Sequence, residues 1–289
     1  MKRFAIAILL FATAAHAAQP RVVRLQTPDD VGIVAAYYPA GGTGTVPAVL
    51  LLHDYGQSRD DWESFAALLQ QGGFAALAID LRGHGESSRR ITATGPQLVD
   101  YHTFNKPDFE KMLLDINTAA DWLLNQPGID KHKLILTGSG LGANLATRYA
   151  LERPDIAAMI LLSPGLVYQD IRTDDVIEKL RPIPLRMVAS VRDNYAFQSA
   201  TRILDTRRHA GNACDEKELI ACSGNLHGIE QLKNVTDLPM ALLRWLRSVI
   251  LGEIPARDPL PTKKPTGITT APRQPAPDIP TARPLRSTR

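Results

Sequence analysis

"LILTGSGLGANLA", Leu134 to Ala146, reads as an apolar strand that runs straight into a helix through a glycine-rich turn. A strand that turns this sharply needs small residues two before and two after its apex, because larger side chains there would collide. With Gly140 at the apex the flanking pair is Gly138 and Gly142, and "GAN" then opens the helix. With Ser139 at the apex the pair becomes Thr137 and Leu141, and leucine is a poor fit. The register therefore places a glycine at the most exposed point of the turn and a serine one step before it.

On either side, apolar β-rich runs alternate with amphipathic segments of helical length. "VVRLQ", the turn "TPDD" and "GIVAAYYP" make an opening hairpin, followed by the apolar strand "PAVLLLH". The helix "DDWESFAALLQQGG", the strand "FAALAID" and the helix "DFEKMLLDINTAADWLLNQ" lead up to the glycine turn. After it come "AAMILLSP", "PLRMVASV" with the helix "AFQSATRILDTRR", and "KELIACS" with the closing helix "PMALLRWLRSVIL". This order predicts an α/β domain with a mostly parallel, eight-stranded sheet flanked by helices.

Five motifs in this order resemble the α/β-hydrolase superfamily over the body of the chain, about residues 21–252. "LLHDYGQSRDDW" resembles the oxyanion turn after the third strand, and "AIDLRGHGES" the segment after the fourth. "LTGSGLGAN" resembles the nucleophile elbow, "ASVRDNY" the acid turn and "GNLHGIEQL" the histidine turn, in the nucleophile–acid–histidine order of this fold. Within that superfamily the chain looks most like small bacterial members related to dienelactone hydrolases and serine esterases. "LLSPGLVY" and the short insertion after it, residues 169–180, imply little or no lid.

The resemblance implies a site made of Asp193 as the acid and His227 as the base. The backbone N–H groups of Tyr55 and Leu141 would form its oxyanion hole. Two positions depart from the pattern: Gly140 stands where the nucleophilic serine belongs, and Asp54 where the first turn usually has glycine. Glycine offers no atom to acylate. The first reading is a catalytically degenerate hydrolase that binds a small-molecule ligand or partner in an open cleft. Two alternatives stay open: an ester hydrolase in which His227 activates water, and one that uses Ser139 through a shifted elbow. On sequence alone, Gly140→Ser should restore ester turnover. His53 and His84 read as residues that hold their turns through hydrogen bonds.

The ends are unlike the body. Lys2 and Arg3, the apolar run "FAIAILLFATAA" and "AHA" before Ala18 read as a signal peptide over residues 1–17, which predicts a periplasmic or secreted protein. Residues 253–289 hold nine of the 21 prolines and few large apolar side chains, the composition of a disordered basic tail, with a protein partner for it left unknown. Between them, residues 18–252 form one domain with a small net negative charge, which excludes a nucleic-acid binder. Cys214 and Cys222 are expected to form a disulfide in an exported chain. No metal or other cofactor is implied.

Overall fold

A computed structural model describes residues 19–41, 44–213, 215 and 217–253. The expected signal peptide, nearly all of the proline-rich tail and Cys214 lie outside them. Strand β1 (Arg21–Gln26) pairs antiparallel with β2 (Val31–Tyr38), as the opening hairpin predicts. Next come β3 (Val46–Leu52), helix α1 (Glu63–Gln71) and β4 (Ala75–Ile79), with β3 and β4 parallel. The hairpin β5 (Arg89–Thr92) and β6 (Gly95–Leu98) leads to α2 (Lys106–Glu110) and α3 (Met112–Leu124). Strand β7 (Ile129–Ser139), helix α4 (Leu141–Glu152) and β8 (Ile156–Leu162) follow. After them come the short pair β9 (Val167–Tyr168) and β10 (Ile171–Arg172), then β11 (Leu185–Ser190) and α5 (Asn194–His209). The described chain closes with β12 (Leu219–Cys222), α6 (Glu230–Asn234) and α7 (Leu238–Leu251).

The sheet has ten strands, in the order β12-β11-β8-β7-β3-β4-β2-β5-β6, with β1 also on β2. The expected eight are all there, and the β5–β6 hairpin adds two at one edge. Its sequence, "RRITATGPQL", carries no long apolar run, so periodicity does not announce it. Its exposed Ile91 and Leu98 confirm that it rests on strand pairing rather than on a core.

Helices cover both faces of the central strands, which is why these strands are apolar throughout rather than alternating. Leu50 and Leu52 of β3 face one apolar cluster with Ile116, Leu145 and Ile203 of α3, α4 and α5. Val49 and Leu51 face the other, with Phe65, Leu69, Leu242 and Leu246 of α1 and α7. Successive side chains of one strand thus serve two cores.

The turn after β4 is locked by its own polar residues. Asp80 accepts the backbone N–H groups of Arg59 (2.7 Å) and Glu86 (2.9 Å) and pairs with the Arg59 guanidinium. Ser87 Oγ donates to Asp80 O (2.7 Å) and accepts from Val34 N (2.8 Å). Arg82, buried, spans Asp115 on α3 and Asp29 in the β1–β2 turn, both at 2.7 Å. The Asp-x-Arg-Gly-His-Gly-x-Ser motif is therefore a structural knot beside the site.

The expected Cys214–Cys222 disulfide involves Cys214, which lies outside the described residues; its expected partner Cys222 stands at the end of β12. It is 5 % exposed and packs in the apolar cluster that holds Ile229 and Leu232, where burial pushes its ionisation up. No helix among the described residues is long and apolar enough to cross a membrane.

Candidate active site

Strand β7 ends at Ser139 and α4 begins at Leu141, so Gly140 alone makes the turn between them. Its φ of 49° and ψ of −113° lie in a left-handed region that side chains other than glycine rarely adopt. A Cβ at Gly138 would meet Gly142 O at 2.3 Å, and one at Gly142 would meet Leu52 O at 2.3 Å. Both flanking glycines are thus required by close backbone approach. The elbow has the register centred on Gly140.

Ser139, the other candidate, is the last residue of β7, one step before the apex. It is fully buried, and its Oγ accepts the backbone N–H of Ile229 at 3.1 Å. Ser163, which leaves β8 with a φ of 48°, acts alongside it: its Oγ accepts from Gly228 N at 2.9 Å and Gln231 Nε2 at 3.2 Å. The two hydroxyls clamp the loop that carries His227. Ser163 is a positioning residue that sequence reading missed, because a serine after a strand carries no signal of its own.

Asp193 and His227 come together. Asp193 Oδ2 lies 2.5 Å from His227 Nδ1, and Asp193 also caps α5 through a longer contact to Ala196 N, 3.4 Å. Tyr168 stands edge-on to the imidazole, ring centroids 6.1 Å apart. The His227 side chain is 36 % exposed, so the site opens to solvent.

The space a nucleophile would fill is taken by Asp54. A Cβ at Gly140 would lie 2.1 Å from the carboxylate carbon of Asp54 and as close to both its oxygens. Asp54 Oδ1 accepts from Leu141 N and from Tyr55 N, each at 2.7 Å. These are the two N–H groups expected to form the oxyanion hole, and they converge on an oxygen the protein itself supplies. Asp54 Oδ2 faces His227 Nε2 at 3.2 Å. The two departures from the family pattern are therefore one packing event: glycine at 140 makes room, and the carboxylate from 54 fills it.

Asp54, more than Asp193, pushes the His227 imidazole up to about 9 against the desolvation that lowers it. At neutral pH the ring is a cation between two carboxylates. An NMR titration is expected to place the His227 midpoint near pH 9, and Asp54→Asn should move it down, since it removes the largest cause. The folded value lies above that of an unfolded histidine. Its contribution to stability is therefore complete below about pH 6.5 and is lost as pH rises through about 9. A midpoint that ignores Asp54→Asn would refute the pairing.

His53 and His84 hold turns, as their motifs imply. His53, buried, accepts Leu81 N at Nε2 (3.0 Å), so its Nδ1 donates to Asp54 O (2.7 Å), which fixes the backbone from which the Asp54 side chain swings. Burial lowers it to about 4. His84 is lowered to about 4 by burial as well and stacks on Tyr101. A cleft of about 260 Å³ lined by Phe65, Ile229, Leu232 and Pro239 lies behind the histidine loop, and neither Asp54 nor His227 lines it. Among the described residues no group of three His, Cys, Asp or Glu side chains is placed to hold a metal ion.

The family model described as "Serine aminopeptidase, S33" matches residues 45–237. An uncharacterized protein of Mycobacterium tuberculosis strain H37Rv is 28 % identical over 144 residues, half of this chain and 45 % of the relative. The chain thus spans less than half the length of that curated relative. The esterase Pf2001 of Pyrococcus furiosus superposes with a TM-score of 0.60 at 17 % identity, covering 80 % of this chain and 93 % of the esterase. The dienelactone hydrolase of Anabaena variabilis superposes with a TM-score of 0.57 at 20 % identity, covering 81 % of this chain and 99 % of the hydrolase. These likenesses establish the fold.

Proposed function

Given that the chain belongs to the α/β-hydrolases of the serine aminopeptidase S33 family, we propose that it has abandoned serine-type acyl transfer and keeps its cleft for a small molecule. One observation carries this reading: the Asp54 carboxylate fills both the nucleophile's place and the oxyanion hole. Acyl transfer needs an attacking atom and an empty hole for the developing oxyanion. Neither is offered here. The Ser139 alternative has its hydroxyl buried against Ile229 N. The water-based alternative needs a neutral His227, and the ion pair with Asp54 keeps that ring protonated at pH 7. The basic and apolar start of the sequence further supports an exported protein that works in the periplasm or outside the cell.

A fluorophosphonate probe tests the central point. Wild type is expected to stay unlabelled and to leave activated esters at the buffer rate, with Ser139→Ala indistinguishable from it. Labelling that Ser139→Ala abolishes would overturn the reading in favour of a serine enzyme.

A further inference from the structure

We propose that the cleft behind the histidine loop is a second binding site, one for a small neutral molecule with an apolar ring system and a single hydroxyl, and that its occupant tightens the loop. The inference goes beyond the reading above and does not depend on whether the chain performs acyl transfer. The cleft encloses about 260 Å³ between α1, α6 and the start of α7. An apolar cavity of roughly 150 Å³ already takes up benzene, so this space suits a two-ring molecule. Its walls divide by depth. Phe65, Ile229 and Leu232 are buried and form the apolar interior, where a ring system would shed its water. Asp61 and Lys233 are partly exposed and stand where the cleft meets solvent, joined at 2.8 Å. That ion pair selects the head group. A ligand carboxylate would have to draw Lys233 away from Asp61 and then lie beside the Asp61 charge, and a ligand ammonium would have to do the reverse. Asp61 is fixed besides, because its second oxygen accepts Ser58 N at 3.2 Å. A hydroxyl donates to the carboxylate and accepts from the ammonium, which leaves the pair intact.

The link to the loop runs through the backbone. Ile229, one wall of the cleft, stands two residues after His227. Its N–H is held by Ser139 Oγ at 3.1 Å, and that of Gly228 by Ser163 Oγ at 2.9 Å. Gly228 has a φ of 54°, and a Cβ there would collide with Ser139 Oγ, so the segment sits hard against the end of β7. Any opening that breaks these two bonds carries the Ile229 side chain away from the cleft. A molecule that needs Ile229 as its wall therefore binds the closed loop alone and stabilises it by mass action. His227 rides on the same segment.

The experiment titrates the full chain with 2-naphthalenemethanol at pH 7 and follows it by NMR, with 2-naphthoate and 2-naphthylmethylammonium as the anionic and cationic counterparts. The alcohol should give saturable shifts centred on Phe65, Ile229 and Leu232, with a dissociation constant of about a millimolar or below. Each charged counterpart should bind at least about threefold more weakly, since it must break the ion pair. With the alcohol at ten times its dissociation constant, hydrogen exchange at the Gly228 and Ile229 amides should slow about tenfold. Ser64→Trp, at an exposed position in the first turn of α1, closes the mouth of the cleft, and Leu232→Phe fills it from α6. Each variant, once its melting transition shows it folded, should lose the alcohol. Binding that survives in a folded variant, shifts centred on Tyr168 instead, or a charged counterpart that binds as tightly overturns the proposal. So does the absence of saturable binding, or exchange that the alcohol does not slow. The shifts and exchange rates of wild type decide the matter even where neither variant folds.

Discussion

The double replacement Asp54→Gly with Gly140→Ser is expected to hydrolyse activated esters and to take up a fluorophosphonate, while Gly140→Ser alone does neither. This departs from what the sequence suggests, where restoring the serine is enough. A serine at 140 must put its Cβ 2.1 Å from the Asp54 carboxylate carbon, a distance at which one of the two has to leave. Overpacking of this kind costs about 1–3 kcal/mol, and the hole would still be filled or its charge displaced into the cleft. Removing Asp54 changes three things together. It vacates the space, frees the N–H groups of Tyr55 and Leu141, and takes away the main reason His227 is protonated at pH 7. Asp193 stays in place to orient the imidazole. Because nucleophile, base and hole act as a unit, the gain over wild type should reach about three to five orders of magnitude in kcat/KM. Asp54→Gly alone should gain nothing, since no atom is there to acylate. Equal labelling of Gly140→Ser and the double variant would mean that Asp54 does not hold the site closed.

The sequence carried the scaffold of this site and missed what occupies it. Gly138, Gly140 and Gly142 fixed the elbow's register because steric exclusion works over two residues and needs no knowledge of distant contacts. The pairing of Asp193 with His227 followed from motif order, since strand order in this fold brings the two turns to one sheet edge. Asp54 was visible only as a departure at one turn, and Gly140 as a departure at another, 86 positions along the chain. Nothing local says that one side chain enters the space left by the other. The same holds for Ser139 and Ser163, whose hydroxyls meet the histidine loop only after β7, β8 and β11 are paired. The β5–β6 hairpin was missed for a different reason: it is held by backbone pairing at an exposed edge, so it imprints no hydrophobic period.

Asp115→Ala is expected to cost about 3–5 kcal/mol of stability, the range seen when one partner of a buried ion pair is removed. Asp115 is fully buried on α3, accepts the Arg82 backbone N–H at 2.9 Å, and takes three further bonds from its guanidinium. Its loss leaves a charge that is 2 % exposed with Asp29 as its remaining partner. Arg82→Met with Asp115→Leu should recover much of the loss, because the cost lies in the stranded charge more than in the missing attraction. The recovery stays partial, since the Arg82 N–H still lacks an acceptor. Urea unfolding at pH 7 measures both variants, and a double variant as unstable as the single one would contradict the argument. The consequence reaches the site as well. Arg82 anchors the turn that holds His84, His84 stacks on Tyr101, and Tyr101 packs edge-on against Tyr55, whose N–H holds Asp54 Oδ1. If that chain of contacts positions the carboxylate, Asp115→Ala should also lower the His227 midpoint from about 9 while the protein is still folded. The paired apolar variant, which keeps the turn packed, should leave it nearer the wild-type value.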